Sequence, residues 1–142
     1  MRLILKRSYG GVCLLTSLMV GEYFAYRHLE YMQRQATYDN EFIEYNFSEM
    51  HHMEIGDDPA RLGYPDDGNG RYTRQKLYPD WYFMNVVKRQ SSNNLENIVL
   101  FAPFSLVNGM FLPYPTMTLL SAYIIGRYFY NDGYLEKEGV KN

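Results

Sequence analysis

Apolar and polar positions divide the chain into three apolar stretches and one long polar stretch. The first apolar stretch, Tyr9 to Tyr26, contains GGVCLLTSLMVGEYFAY. Its length sits near the short end of the roughly 17–25 residues that one bilayer crossing takes. Glu22 interrupts it near one end, and Arg27, His28 and Glu30 mark an exit into water. The pattern predicts a first helix over residues 9–34, amphipathic in its last turns. A second helix is predicted over 80–112, with Asp80 as N-cap and Trp81 and Tyr82 at an interface. It ends in IVLFAPFSLVNGMFL (98–112), where Pro103 predicts a kink. Pro113 and Pro115 predict a tight turn, and 115–134 reads as a third, Tyr-rich helix, followed by a polar tail over 135–142.

Between the first and second apolar stretches the composition changes. Residues 39–67 hold Asp39, Glu41, Glu44, Glu49, Glu54, Asp57, Asp58, Asp66 and Asp67 against one base, Arg61. Glycine and proline punctuate the second half at Gly56, Pro59, Gly63, Pro65, Gly68 and Gly70. The expectation is a long extramembrane acidic loop over 35–79. Long loops are usually functional or disordered, so a partner protein packing on this one is expected. The fold class is therefore all-α: one membrane domain spanning 1–142, a helical bundle with about three transmembrane helices and a long acidic loop.

Composition narrows the classes. A net charge of −2 and a sequence pI of about 5.9 give no suggestion of nucleic-acid binding. Cys13 is the single cysteine, so there is no disulfide framework. Mean hydropathy is −0.39, low for a membrane protein, because the polar middle offsets the apolar stretches. Tyr occurs 15 times, which suits membrane–water interfaces. Arg2, Lys6 and Arg7 precede the first apolar stretch, and that basic start is read as an uncleaved membrane anchor. Apolar runs of this length also form buried core helices, so a soluble bundle is the competing reading.

The best candidate chemistry lies in WYFMNVVKRQSSNNLENIVL (81–100). Asn85, Arg89, Asn93 and Glu96 follow at steps of four, four and three, which share one helix face. Arg supplies a forked cation for a carboxylate, Asn a donor and an acceptor, and Glu an anion for an ammonium. Such a set suits a small zwitterion. Arg89 pairing with Glu96, or a contact with a neighbouring helix, explains the same spacing. A second cluster is GRYFYNDGY (126–134), where Arg127, Tyr130 and Tyr134 could share a face. An interfacial aromatic belt would look the same. His51-His52-Met53 lacks a ligand set with metal-site spacing. Ser91 and Ser92 have no paired base, and there is no Gly-rich phosphate loop.

Together, KRQSSNNLEN (88–97) and GRYFYNDGY (126–134) resemble the family of membrane-associated proteins in eicosanoid and glutathione metabolism, MAPEG, and within it the microsomal glutathione transferase type 3 branch. The family pattern close to QRAHQNTLE is matched by Arg89, Asn93, Leu95 and Glu96. The pattern close to GRxxYxxGY is matched by Gly126, Arg127, Tyr130, Gly133 and Tyr134. YGGVCLLT (9–16) and GYPDDGNGRY (63–72) add to the likeness, which covers roughly 9–34 and 63–134. The resemblance implies a four-helix membrane bundle in a homotrimer, with glutathione between subunits against Arg89, Asn93, Glu96, Tyr130 and Tyr134. The chain departs from that pattern. The fourth helix has no counterpart after Tyr134. The Arg that activates the thiol in some members is missing, and Lys141 is the tail cation noted in its place. The family His is Ser91 here, and the acidic segment 39–62 is foreign.

Two functions follow as expectations. One is a non-catalytic accessory subunit of a larger membrane complex, such as a respiratory or ATP-synthase complex of the mitochondrial inner membrane. Its partners would be the lipid bilayer and other membrane subunits, and it would need no cofactor. The other is a glutathione transferase or peroxidase acting on lipophilic electrophiles or lipid hydroperoxides as a homotrimer. A scaffold holding a bound lipid in the old pocket is a third. No metal is expected in any of them.

Overall fold

The computed structural model describes residues 7–138, so Arg2, Lys6 and Lys141 lie outside the described residues. Four helices follow in order: α1 (Tyr9–Thr37), α2 (Asn40–Glu54), α3 (Tyr78–Phe111) and α4 (Pro113–Lys137). Two 3₁₀ turns, Arg61–Gly63 and Thr73–Gln75, lie between α2 and α3.

The acidic segment is not one loop, because α2 occupies its first half. Asp39 is extended and its carboxylate accepts the Phe42 amide at 2.6 Å, a side-chain N-cap. Glu41 stands in the first turn and His51 and His52 in the last, the favourable sense of the helix dipole. Ile43 and Phe47, four apart, bury one face. The helix stops at Gly56, whose φ of +85° suits the left-handed region and whose amide donates to the His51 and His52 carbonyls at 3.3 and 3.1 Å.

The other boundaries shift by a few residues. α3 begins at Tyr78, so Asp80 lies inside the first turn and is not the N-cap. α3 continues through Pro103 to Phe111. Leu112 alone separates it from α4, with Pro113 at the start of α4, where a missing amide hydrogen costs no helical bond.

No described helix is long and apolar enough to cross a membrane. The expectation of about three transmembrane helices is corrected accordingly. α1 carries Glu22, Arg27, Glu30 and Arg34 along its length. The apolar part of α3 is diluted by Pro103, Ser105, Asn108 and Gly109. α4 opens with Pro and Thr and carries several Tyr around Arg127, none of which adds much hydropathy.

The chain forms two compact units, His28–Lys88 and the described residues of Met1–Arg27 with Arg89–Asn142. In the first, Tyr38, Ile43, Phe47 and Met84 are buried, flanked by Phe42, Met50 and Tyr72. Arg34 is only 3% exposed. Its guanidinium donates to the Leu62 carbonyl at 3.1 Å and the Asp66 carbonyl at 2.8 Å, and lies 4.3 Å from the Tyr64 ring centroid. The Asp66 carboxylate accepts from the amides of Gly68, Gly70 and Thr73 and from the Thr73 hydroxyl, all at 2.8–2.9 Å. Burial pushes its pKa up, and those four donors outweigh it, so the carboxyl titrates below its ordinary 3.8. The Tyr38 hydroxyl bonds the Thr73 hydroxyl, and burial raises its pKa. Asp67 pairs with Lys88 at 2.9 Å. Gly63 has a φ of +66°, and a Cβ there would stand 2.6 Å from the base of the Tyr38 ring.

In the second unit Val12, Met19 and Leu120 form the buried centre, with Leu15, Ile98, Met117 and Tyr123 around it. Large apolar side chains remain exposed on its helices, among them Leu14 and Phe24 on α1, Val99 and Phe104 on α3, and Leu119 and Phe129 on α4.

Candidate functional site

The predicted polar stripe of α3 divides into parts with different environments. Asn85 belongs to the His28–Lys88 unit and is committed there: its amide donates to the Gly68 carbonyl at 3.0 Å and the Trp81 carbonyl at 2.8 Å. Arg89 and Glu96 are exposed, and Asn93 is half-buried. No ion pair joins Arg89 to Glu96 among the described residues. Seven residues of helix place their backbones about 10 Å apart along the axis. The Asn93 side-chain oxygen accepts from the Asn97 amide at 2.9 Å.

On α4, the Tyr130 and Tyr134 rings lie nearly parallel with centroids 6.3 Å apart, and the Arg127 guanidinium sits 5.0 Å from the Tyr130 centroid. Tyr130 is 52% exposed. Arg127 is turned inward, its Nε donating to Asn94 Oδ1 at 2.6 Å. The same oxygen accepts from Asn131 Nδ2 at 3.2 Å. Glu22 of α1 lies within electrostatic reach of Arg127 and Asn131. Gln90, one turn before Asn94, is buried too. A polar junction built by three helices thus lies inside an otherwise apolar unit. Three of its donors (Gln90 Nε2, Asn94 Nδ2 and Arg127 Nη2) and three of its acceptors (Glu22 Oε1, Gln90 Oε1 and Asn131 Oδ1) have no protein partner among the described residues. Its formal charges, Glu22 and Arg127, balance.

The pattern of the MAPEG family matches residues 50–141, a span that holds all of α3 and α4. The chain belongs to the MAPEG family. MAPEG proteins are membrane-associated. No curated protein and no solved structure matches the chain.

Within this MAPEG chain, α3 presents two chemically different faces one residue apart in register. Arg89 and Glu96 offer opposite charges to whatever covers the outer face. Gln90, Ser91 and Asn94 are buried on the inner one. Sequence reasoning singled out the outer face and passed over Gln90, Asn94 and Asn131. The signal for them was present: Gln90 and Asn94 are four apart, and Glu22 interrupts an apolar run. Lys137, three residues after Tyr134, was also passed over; it is an exposed cation on the last turn of α4 and lies nearer to the tyrosines in sequence than Lys141. His52 Nε2 lies 2.8 Å from Asp58 Oδ1, both exposed. An apolar groove of about 390 Å³ lies between α3 and α4, lined by Phe101, Phe104, Asn108, Leu119 and Tyr123 among others.

Proposed function

We propose that this MAPEG chain is a membrane-associated accessory subunit of a larger membrane-protein assembly, without catalysis of its own. The observation that carries the proposal is the outer face of α3. Arg89 and Glu96 stand exposed and unpaired with each other beside Leu95, Val99 and Leu100, all exposed. An apolar patch of this kind, interleaved with opposite charges, is a surface to be covered. Lipid tails would cover the apolar side chains but leave Arg89 and Glu96 without partners, whereas a neighbouring protein can meet both. Arg127 supports the non-catalytic reading. Its Nε is bound to Asn94, which commits one edge of this half-buried guanidinium to the inner face of α3. A thiol near its ordinary pKa of ~8.5 stays mostly protonated at neutral pH unless a cation stabilises the thiolate. The setting proposed is a mitochondrial inner-membrane complex of the respiratory or ATP-synthase kind.

A second reading is favoured by the same open residues. Arg89, Asn93 and Glu96 with Tyr130 and Tyr134 match the family pattern for glutathione, as in the type 3 transferase branch. A homotrimer would then complete the pocket for transfer to lipophilic electrophiles or reduction of lipid hydroperoxides. Extraction of the native membrane in mild detergent, followed by a native gel and identification of the co-migrating chains, separates the two. One copy among unrelated membrane subunits, with no thiol transfer, is the expected result. A homotrimer that retains glutathione would overturn the accessory-subunit proposal.

A further inference from the structure

The His28–Lys88 unit carries a cleft that neither reading uses. It encloses about 310 Å³ and is lined by Asn69, Gly70, Thr73, Arg74, Lys76, Tyr78 and Trp81. Gly70 and Thr73 form a fixed floor, since both amides are held by the Asp66 carboxylate. Two cations line the cleft and no acid does. Arg74 is exposed, and Lys76 is half-buried with its Nζ 3.5 Å over the Phe42 ring. The neighbouring acids are already committed to other partners, although Asp66 keeps its charge beneath the floor. Asp66 is saturated by four donors, and Asp67 pairs with Lys88 at 2.9 Å and lies 3.7 Å from Arg34. Asp80 is exposed and does not line the cleft. The aromatic side is Tyr78 against Trp81, with centroids 5.4 Å apart. Beside it Leu77 is 75% exposed.

We infer that this cleft binds the phosphodiester headgroup of an anionic phospholipid. Arg74 and Lys76 would take the phosphate oxygens, and Asn69 a headgroup hydroxyl. Tyr78, Trp81 and Leu77 would lie along the glycerol and the first acyl carbons. The gradient from two cations through paired aromatic rings to an exposed leucine is that of a membrane–water boundary. Phosphate chemistry alone would also admit free inorganic phosphate, so the two sources must be separated. The inference rests on the membrane association of the family and not on which assembly the chain joins.

Trp81 lines the cleft and is the only tryptophan of the chain, so its fluorescence reports on this site. The full chain in uncharged maltoside micelles would be titrated with dihexanoyl phosphatidylglycerol, with dihexanoyl phosphatidylcholine and with inorganic phosphate. The expected result is a saturable shift with phosphatidylglycerol that weakens as sodium chloride is added, and little response to phosphatidylcholine. Each surface cation contributes enough that the Arg74→Gln/Lys76→Gln double variant should bind about thirtyfold more weakly. Arg61→Gln, at an exposed cation of the same unit that does not line the cleft, should bind as the native chain does. Equal responses to the two lipids, a salt-independent response, or unchanged affinity in a double variant of native helicity would overturn the inference. A saturable response to phosphate that blocks the lipid would replace the lipid with the free ion. If the double variant does not fold, the lipid comparison and the salt titration on the native chain decide alone. Absence of a shift from a protein that still co-purifies with foreign subunits would sink the cleft and leave the accessory-subunit proposal standing. A glutathione-bearing homotrimer that shows the shift would do the reverse.

Discussion

Replacing Asp66 should remove more stability than any other single polar change in the His28–Lys88 unit. Its carboxylate accepts four hydrogen bonds, three from backbone amides, at 2.8–2.9 Å. Hydrogen bonds to an ionised group contribute about 1.5–3 kcal/mol each, and four on one acceptor add less than fourfold. Asp66→Ala should therefore cost about 3–5 kcal/mol, a large part of the ~5–15 kcal/mol of a typical domain. Asp66→Asn keeps one accepting oxygen and turns an NH₂ toward a donor, so it should cost about 1.5–3 kcal/mol. The pH dependence gives a second handle. The folded carboxyl titrates below its ordinary 3.8, so the unfolded chain takes up the proton first as pH falls. The stability contributed by the carboxylate is then fully present above about pH 5. It declines as pH drops through 3.8 and is gone below the folded pKa. Urea unfolding of the full chain in maltoside micelles, followed by Trp81 fluorescence, would measure both. The gap between native chain and Asp66→Asn should be constant from pH 8 to about 5 and shrink below it. An Asp66→Ala cost under about 1 kcal/mol, or a gap to Asp66→Asn that ignores acid, would refute the reasoning.

Gly63→Ala combines a positive φ with a Cβ set 2.6 Å from the Tyr38 ring, and should cost about 2–4 kcal/mol in thermal unfolding by circular dichroism. Asn94→Leu strips the shared acceptor from Arg127 and Asn131 and should cost about 2–4 kcal/mol by the same measurement. A cost near zero would show that the junction does not stabilise the unit. Arg89→Ala, at an exposed position, should leave the isolated chain within about 0.5 kcal/mol of the native. It should weaken the hold of the neighbouring subunit on a native gel, or of glutathione if the transferase reading is right.

The three long helices were legible because each has a dominant apolar stretch and clear breakers. The predicted 9–34, 80–112 and 115–134 became 9–37, 78–111 and 113–137. α2 was lost under its own acids. Asp39 as a cap and the spacing of Ile43, Phe47 and Met50 were present, but the Gly and Pro run from Gly56 onward extended the loop reading backward over them. The membrane crossings failed because counting apolar stretches ignores how far Tyr, Ser, Thr, Gly and Pro dilute each one. Within the site, sequence placed a polar face on α3 but could not choose which. From Lys88 to Asn94 every residue is polar, so a shift of one residue, about 100° of rotation, yields an equally plausible stripe. Only the packing of Asn94 against Arg127 tells the inner face from the outer.

That packing depends on Leu112. It is the one residue between α3 and α4, with φ −128° and ψ 65°, and it alone sets the phase between two helices whose partners, Asn94 and Arg127, are 33 positions apart. Adding or deleting a single residue there would turn α4 by about 100° about its axis. Arg127 would leave Asn94, and Gly126 or Tyr128 would take its place. Length change is thus forbidden at 112 although the position itself is exposed, while the stretch around Asp57–Ala60, mostly exposed and outside any helix, can absorb it.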